Sequence, residues 1–459
     1  MKRLVILVPI VVLAVLAFPV VNLIVGGPET SLASLTSEDR DLAEVAHLFG
    51  EKCVNCHTTD YKLPWYGKFP IARGIIETDI QAGLRTVDMM AFLPPPDGEP
   101  ANEVFLAKVE WTTQQNTMPP TRYVALHWDH RLSADEEQTI LDWVRDVRAA
   151  HYRVDGVAEA LANEPVQPLP DVETLGLDND KVAFGQKLFH DVRLSADDTL
   201  SCASCHALDK GGTDQAPVST GIRGQLGPIN SPTVYNSAFQ FAMFWDGRAA
   251  DLEEQAGGPV TDPLEMGAQW PDVLAKLGAD EAFMEEFSAF YDELNDANVR
   301  DAIAEFERSL LTSDSDFDRY MKGDEQAMSQ AARRGYARFK ELGCATCHVG
   351  KILGGRSYEY MGYRKDYFGG LDRPLTPKDD GRRGVTGDER DRHKFKVPSL
   401  LNSEVTFPYF HDASAETLEE AVQIMADHQS GVELRARDVE NLAAFLKALT
   451  GKYQGEKLE

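Results

Sequence analysis

All six cysteines of the chain fall in pairs of one spacing, and each pair is followed at once by a histidine. The three sets are Cys53, Cys56 and His57; Cys202, Cys205 and His206; and Cys344, Cys347 and His348. C-x-x-C-H is the attachment pattern of a c-type haem. Two thioethers hold the porphyrin, and the adjacent imidazole is placed under the iron as an axial ligand. Zinc would draw two such pairs into one site and would leave the trailing histidines without a role. Disulfides would do the same. With every cysteine used, none remains for a thiol nucleophile. The sequence therefore predicts three covalently bound c-type haems.

The opposite iron faces differ. Met118, 61 residues past His57 in the run Met118-Pro119-Pro120, offers a soft thioether that would complete a six-coordinate, electron-transferring iron. His127 and His130 are rival ligands there. Met425, 77 residues past His348, is the corresponding candidate for the third motif. Its alternative is a core position on a helix face. After His206 no methionine, histidine or lysine stands in an obvious ligating place, and the run to Met266 ends in polar and acidic residues that include Gln255 and Glu265. An open haem face beside a carboxylate suits the binding and splitting of a small oxidant. Chemistry is expected at the second motif, with the other two supplying electrons.

Asp and Glu number 74 against 46 Lys and Arg, for a formal net charge of −28, and each haem adds two propionates. That balance argues against nucleic acid and anionic lipid as electrostatic partners. A basic start, Met1-Lys2-Arg3, precedes 22 residues without formal charge, Leu4 to Val25. As a helix this run would be about 33 Å long, enough for a bilayer core. It predicts an uncleaved anchor with its basic end in the cytoplasm, the inner membrane as partner and the rest in the bacterial periplasm. A cleaved signal peptide is the alternative.

The elements that must position these residues read as helical. Ser37 opens an amphipathic helix that carries Leu42, Val45 and Leu48-Phe49 into Cys53, and a second from Ala134 to Arg148 closes that part. Gly185-x-x-x-Phe189 precedes the second motif and Gly335-x-x-x-Phe339 the third, a weak internal repeat. Residues 154–180 read as a linker, 296–320 as a long connecting helix, and 417–427 with 436–449 as a final helix pair. The expected fold is mostly α: three cytochrome c-like haem domains in tandem after an N-terminal transmembrane helix. The expected bounds are 1–29 for the anchor, 30–159 for the first haem domain, 160–325 for the peroxidatic domain and 326–459 for the electron-transfer domain.

From about Asp180 to Thr450 the chain resembles the bacterial di-haem cytochrome c peroxidases. The resemblance is carried by Gly211-Gly212-Thr213-Asp214, Asn230-Ser231-Pro232-Thr233-Val234, Phe244-Trp245-Asp246-Gly247-Arg248-Ala249, Glu254-Gln255-Ala256, Pro263-Leu264-Glu265-Met266 and the segment Pro408 to Asp412. With the first motif and the anchor, the whole is similar to the tri-haem, quinol peroxidase-like type. The resemblance implies a peroxidatic haem on Cys202 and Cys205 with His206 proximal, and a high-potential haem ligated by His348 and Met425. It also implies Glu265 as the acid–base residue, Gln255 beside it in the distal pocket, and Trp245 between the two haems. A calcium ion would take the Asn230 side chain and the backbone carbonyls of Thr406 and Pro408. A homodimer is compatible with it.

One position departs from the pattern. Many relatives carry an iron-blocking histidine on a loop about 16 residues past the proximal histidine; here Ile222 stands there, and isoleucine cannot ligate. An iron face open in every redox state follows. The expected activity is reduction of hydrogen peroxide to water. For the donor, the anchor favours membrane quinol, whereas the acidic surface favours a small basic cytochrome c. Two rivals are a radical-generating oxidase like the methylamine dehydrogenase maturation enzyme, which has tyrosine where this chain has Met425, and a purely electron-transferring cytochrome.

Overall fold

A computed structural model describes residues 17–25, 32, 40–96 and 98–459. The chain divides into two compact units, Met1–Arg153 and Val154–Glu459.

The first unit holds helices α1 (17–25), α2 (Arg40–Lys52), α3 (Pro70–Thr86), α4 (Glu103–Gln114) and α5 (Ala134–His151). A capping box starts α5: the Ser133 hydroxyl accepts from Glu136 N–H, and the Glu136 carboxylate accepts from Ser133 N–H at 2.8 Å. The same carboxylate takes Lys52 Nζ at 2.7 Å, which pins the end of α2 to the start of α5 just before the first motif. Leu42, Val45, Leu48 and Phe49 do turn inward. Phe49 meets Phe105 and Trp143 edge-on at 6.0 and 6.3 Å, within a core that includes Ile140 and Val144.

In the second unit the two glycine–phenylalanine repeats share one architecture. Helix α6 (Asn179–Phe189) crosses α8 (Asp296–Arg308), and α9 (Gln330–Glu341) crosses α11 (Ala436–Lys447). A Cβ on Gly185 would lie 1.9 Å from Ala302 O, and one on Gly335 1.9 Å from Asn441 O. The phenylalanine one turn on meets its counterpart at 5.2 Å in both crossings, Phe189 on Phe306 and Phe339 on Phe445. Glycine is required because the backbones touch. Short antiparallel pairs complete the unit: β1 (Tyr358–Tyr360) with β2 (Lys394–Lys396), and β3 (Lys452–Tyr453) with β4 (Glu456–Lys457).

Three expectations are corrected. The chain is not three tandem domains. Residues 154–169, expected as a linker, supply Val154, Val157, Val166 and Leu169 to the core around the third motif. Leu169 N–H donates to the buried Asp318 carboxylate, and Glu164 takes Lys340 Nζ at 2.6 Å. From the other end, Val405 and Leu458 enter the core of the second motif, and Tyr453 packs on Tyr235. The two halves complete each other's cores and form one unit.

Secondly, among the described residues no helix is long and apolar enough to cross a membrane. The part of the expected anchor at 1–16 lies outside the described residues. The part at 17–25 packs on the first unit: Phe18 meets Trp65 and Tyr66 at 5.8 and 5.1 Å, and the buried Asn22 donates to Leu126 O and accepts from Trp65 Nε1. The inner-membrane, anchored location predicted from that run is withdrawn. Thirdly, the long helix expected over 296–320 ends at Arg308 and a short one resumes at Asp316. Between them Thr312 is buried and bonded to the Asn236 and Asn402 side chains.

Candidate functional site

Each motif histidine is held in the same way. His57 Nδ1 donates to Val87 O at 3.1 Å, His206 Nδ1 to Gly212 O at 3.3 Å, and His348 Nδ1 to Leu353 O at 3.0 Å. A carbonyl can only accept, so the proton sits on Nδ1 and the Nε2 lone pair is left for a metal. Burial pushes all three imidazoles below their ordinary range, His348 down to about 4. Neutral imidazole is the ligating form. Gly212 and Leu353 supply their carbonyls from close by in the chain, whereas Val87 lies 30 residues past His57; Gly212 has φ +75°, and a Cβ there would lie 2.7 Å from Thr233 Oγ1. In the first unit α3 lies directly on the motif, for a Cβ on Gly83 would be 2.3 Å from Cys56 O.

The cysteines are unpaired and partly buried, and burial pushes their thiols up, Cys53 to about 12, Cys56 to about 11 and Cys344 to about 12, with Cys202 and Cys205 also raised.

The second motif opens on a partly open cavity. Cys202, Cys205 and His206 form one wall, and Trp245, Gln255 and Glu265 are on the same lining. Helix α7 (Leu252–Thr261), capped by Asp251, carries Gln255. The turn that follows carries Glu265, whose N–H donates to Asp262 O, while Leu264 N–H donates to the Asp262 carboxylate. Ile222 braces this turn directly: its N–H donates to Glu265 O at 2.7 Å, and its side chain is buried against Gly267. The loop comes so close that a Cβ on Gly221 would lie 1.8 Å from Leu264 O. Burial and the neighbouring Asp262 push the Glu265 carboxyl above its ordinary range, against the pull of Arg248 and Lys378. Its side chain makes no hydrogen bond or ion pair among the described residues.

The cavity fits a polar-edged prosthetic group. Ser237 Oγ, Gln240 Oε1 and Glu307 Oε2 are buried on its lining without a hydrogen-bond partner among the described residues. Orphaned buried polar atoms are rare in a complete site. Trp245 Nε1 donates to Asn230 O at 2.8 Å. Asn230 N–H donates to His411 O at 2.9 Å and its Nδ2 to Ala216 O at 3.0 Å, which turns Oδ1 the other way. Gln215, next to Ala216, donates to Val405 O, so this loop, Asn230 and the turn holding Thr406 and the buried Pro408 gather in one region.

Met118 is exposed, and Met425 is the last residue of α10 (Leu418–Met425), where the chain passes into a π-helical turn, Ala426–Ser430. Such turns are frequent at functional sites. Ser430 Oγ donates to Leu342 O, two residues before Cys344, which ties this turn to the third motif. His127, the rival ligand in the first unit, has both ring nitrogens engaged, Nδ1 donating to Tyr123 O and Nε2 accepting from Tyr66 OH at 2.6 Å.

Sequence reasoning missed Glu307 and Lys396 in the cavity lining. It also missed a buried network in which Asp379 accepts from Arg373, Thr376 and His411 while Arg373 bridges to Asp412. Asp379, His411 and Asp412 offer atoms within 4.8 Å of one another, and Arg373 is ion-paired with both carboxylates.

A protein with three such histidine–thiol sites, one of them facing a carboxylate across a cavity, is a c-type haem protein with a catalytic centre. The comparisons narrow the class. The family described as "Di-haem cytochrome c peroxidase" matches residues 179–326, and that described as "Haem-binding domain" matches 14–146. "Cytochrome c peroxidase Ccp" of Escherichia coli K12 is 44% identical over 424 residues, 92% of this chain and 90% of that one. "Cytochrome c551 peroxidase" of Nitrosomonas europaea is 44% identical over 65% of this chain and 87% of its own. Among solved structures, a MauG-like protein associated with microbial copper homeostasis superposes with a TM-score of 0.55 at 29% identity, over 63% of this chain and 94% of that one. The chain belongs to the di-haem cytochrome c peroxidase family and is a haem peroxidase-type oxidoreductase. The haem-binding-domain match replaces the first of the three expected tandem units by a domain of another family, and it begins at residue 14, inside the run expected as an anchor.

Proposed function

We propose that this enzyme reduces hydrogen peroxide to water at the second motif, with electrons relayed through three c-type haems attached at Cys53 and Cys56, Cys202 and Cys205, and Cys344 and Cys347. The observation that carries this reading is the placing of Glu265 and Gln255 on the cavity of His206, with Ile222 bracing the Glu265 turn. A haem ligated by His206 would supply an iron able to polarise and reduce the O–O bond. The chain's own groups do the rest. Gln255 hydrogen-bonds the peroxide and orients it. Glu265 takes the proton from one peroxide oxygen and delivers it to the other, which leaves as water. Two electrons and two further protons convert the remaining oxygen to a second water. Met118 and Met425 would hold the two donor haems together with His57 and His348, and Trp245 lies on the electron path into the cavity. The Asn230 side-chain oxygen with the carbonyls of Thr406 and Pro408 forms an all-oxygen set suited to calcium.

The electron donor in this reading is a small basic cytochrome c. The case for membrane quinol rested on the anchor, whereas the net charge of −28 remains and steers a cationic partner. Steady-state peroxide reduction with reduced cytochrome c and with a soluble quinol decides between them. Faster turnover with cytochrome, weakening as salt is raised, is expected; turnover with quinol alone refutes the assignment. A haem count of two per chain would remove the first motif from the relay.

A further inference from the structure

The catalytic cavity has two cations on its lining, Arg248 and Lys396. Arg248 is already satisfied: it lies 3.5 Å above the Phe244 ring and is ion-paired with Asp246 at 3.1 Å. Lys396 is different. It is 5% exposed, and its ammonium makes no hydrogen bond or ion pair among the described residues. Its backbone is fixed beside the indole, for Lys396 N–H donates to Trp245 O at 2.8 Å. A buried ammonium without an anion is strongly disfavoured, so the position calls for one.

The rest of the cavity shows where that anion must come from. Asp246 is the charged group that bears on Lys396, and it is claimed by Arg248. The thiol edge has its own charged neighbours, Glu307 beside Cys202 and Glu265 near Cys205. Lys396 lines this same cavity without an anion of its own. A haem attached at Cys202 and Cys205 would bring two into it, its propionates.

We propose that Lys396 is the counter-ion of the propionates of the haem at His206 and thereby a positioning residue that raises the reduction potential of that centre. This rests on the reading that a haem is attached at Cys202 and Cys205. Burial pushes the free amine down to about 7, and the paired anion is what keeps it charged. A fixed positive charge favours the reduced, more negative iron, so its loss favours the oxidised state.

The test uses the full-length holoprotein with Lys396→Gln and Lys396→Arg. Haem stoichiometry is measured first, then each centre is titrated by spectroelectrochemistry. The Gln variant is expected to shift the one-electron equilibrium of the peroxide-reactive centre about tenfold toward oxidised, roughly 60 mV, and to leave the other centres unmoved. The Arg variant is expected to restore it. An unmoved potential in Gln, or an Arg variant as altered as Gln, overturns the proposal. Should the Gln variant fail to load haem there, the Arg variant decides by resonance Raman. A shifted propionate bending band supports the contact, and an unshifted one overturns it. A wild-type protein lacking haem at Cys202 and Cys205 overturns the underlying reading instead, and the stoichiometry separates that failure from the first.

Discussion

Glu265→Gln is the sharpest test of the proton chemistry. The substitution keeps the shape of the side chain and removes only its ability to take and return a proton. It costs the fold little, because the carboxylate makes no hydrogen bond or ion pair among the described residues, and the bond from Ile222 N–H goes to the backbone carbonyl, which is unchanged. General acid–base catalysis contributes about 10²–10⁴ in rate, equal to roughly 3–5 kcal/mol of barrier. Peroxide reduction by the pre-reduced enzyme, followed by stopped flow, should fall by that factor with haem content and melting temperature unchanged. The pH profile adds a second handle. The base form of Glu265 must be ionised to accept a proton, and its carboxyl is held above the ordinary range by burial and Asp262. Wild-type activity should therefore fall on acidification at a pH above that of an ordinary carboxyl, and the limb should be absent from the Gln variant. Wild-type-like turnover in Glu265→Gln, or an acid limb that persists in it, would refute the assignment.

Three further outcomes are expected. The fully oxidised enzyme, with Ile222 where a blocking histidine would stand, should show a high-spin haem and react with peroxide without prior reduction; a spectrum of low-spin haems alone would refute the open face. Gly335→Ala should lower stability by about 1–3 kcal/mol, read as the urea midpoint of the holoprotein, because its Cβ would sit 1.9 Å from Asn441 O. Arg373→Ala should cost about 1–3 kcal/mol, since the buried Asp379 loses its bidentate partner and keeps only Thr376 and His411. In the wild type that pairing holds the Asp379 carboxyl below its ordinary range. Its contribution is thus present above about pH 4 and lost as pH falls further, so the variant's deficit should shrink in acid.

What the sequence made legible was local in origin. C-x-x-C-H names its chemistry because three adjacent side chains act on one porphyrin. The helices into each motif were readable from period and caps, and the paired glycines at 185 and 335 did mark the same close crossing twice. The break in the helix expected over 296–320 was written in Ser309 to Ser315, yet those residues leave the helix for a distant reason: Thr312 bonds Asn236 and Asn402. Lys396 in Phe395-Lys396-Val397 looks like an exposed strand cation. Its burial comes from pairing with residues 358–360 and from the Trp245 carbonyl, more than 30 residues away in sequence and invisible to any window.

The domain count failed because the motif counts haems, whereas a domain is counted by cores. An apolar run such as Leu4 to Val25 fixes only that a segment wants to leave water; whether lipid or protein receives it depends on partners elsewhere, and residues 17–25 meet Trp65, Tyr66 and Leu126. The same holds for 154–169, polar enough to read as a linker while Val154, Val157, Val166 and Leu169 serve the core around the third motif. In the other direction the last strands serve the core of the second. The two motif-bearing halves are thus woven through each other, and the cavity, Trp245 and the third motif are built into one folded unit. A proton site needs its carboxylate placed to within a fraction of an ångström; sharing cores between the halves supplies that rigidity and keeps the third motif in the same fold.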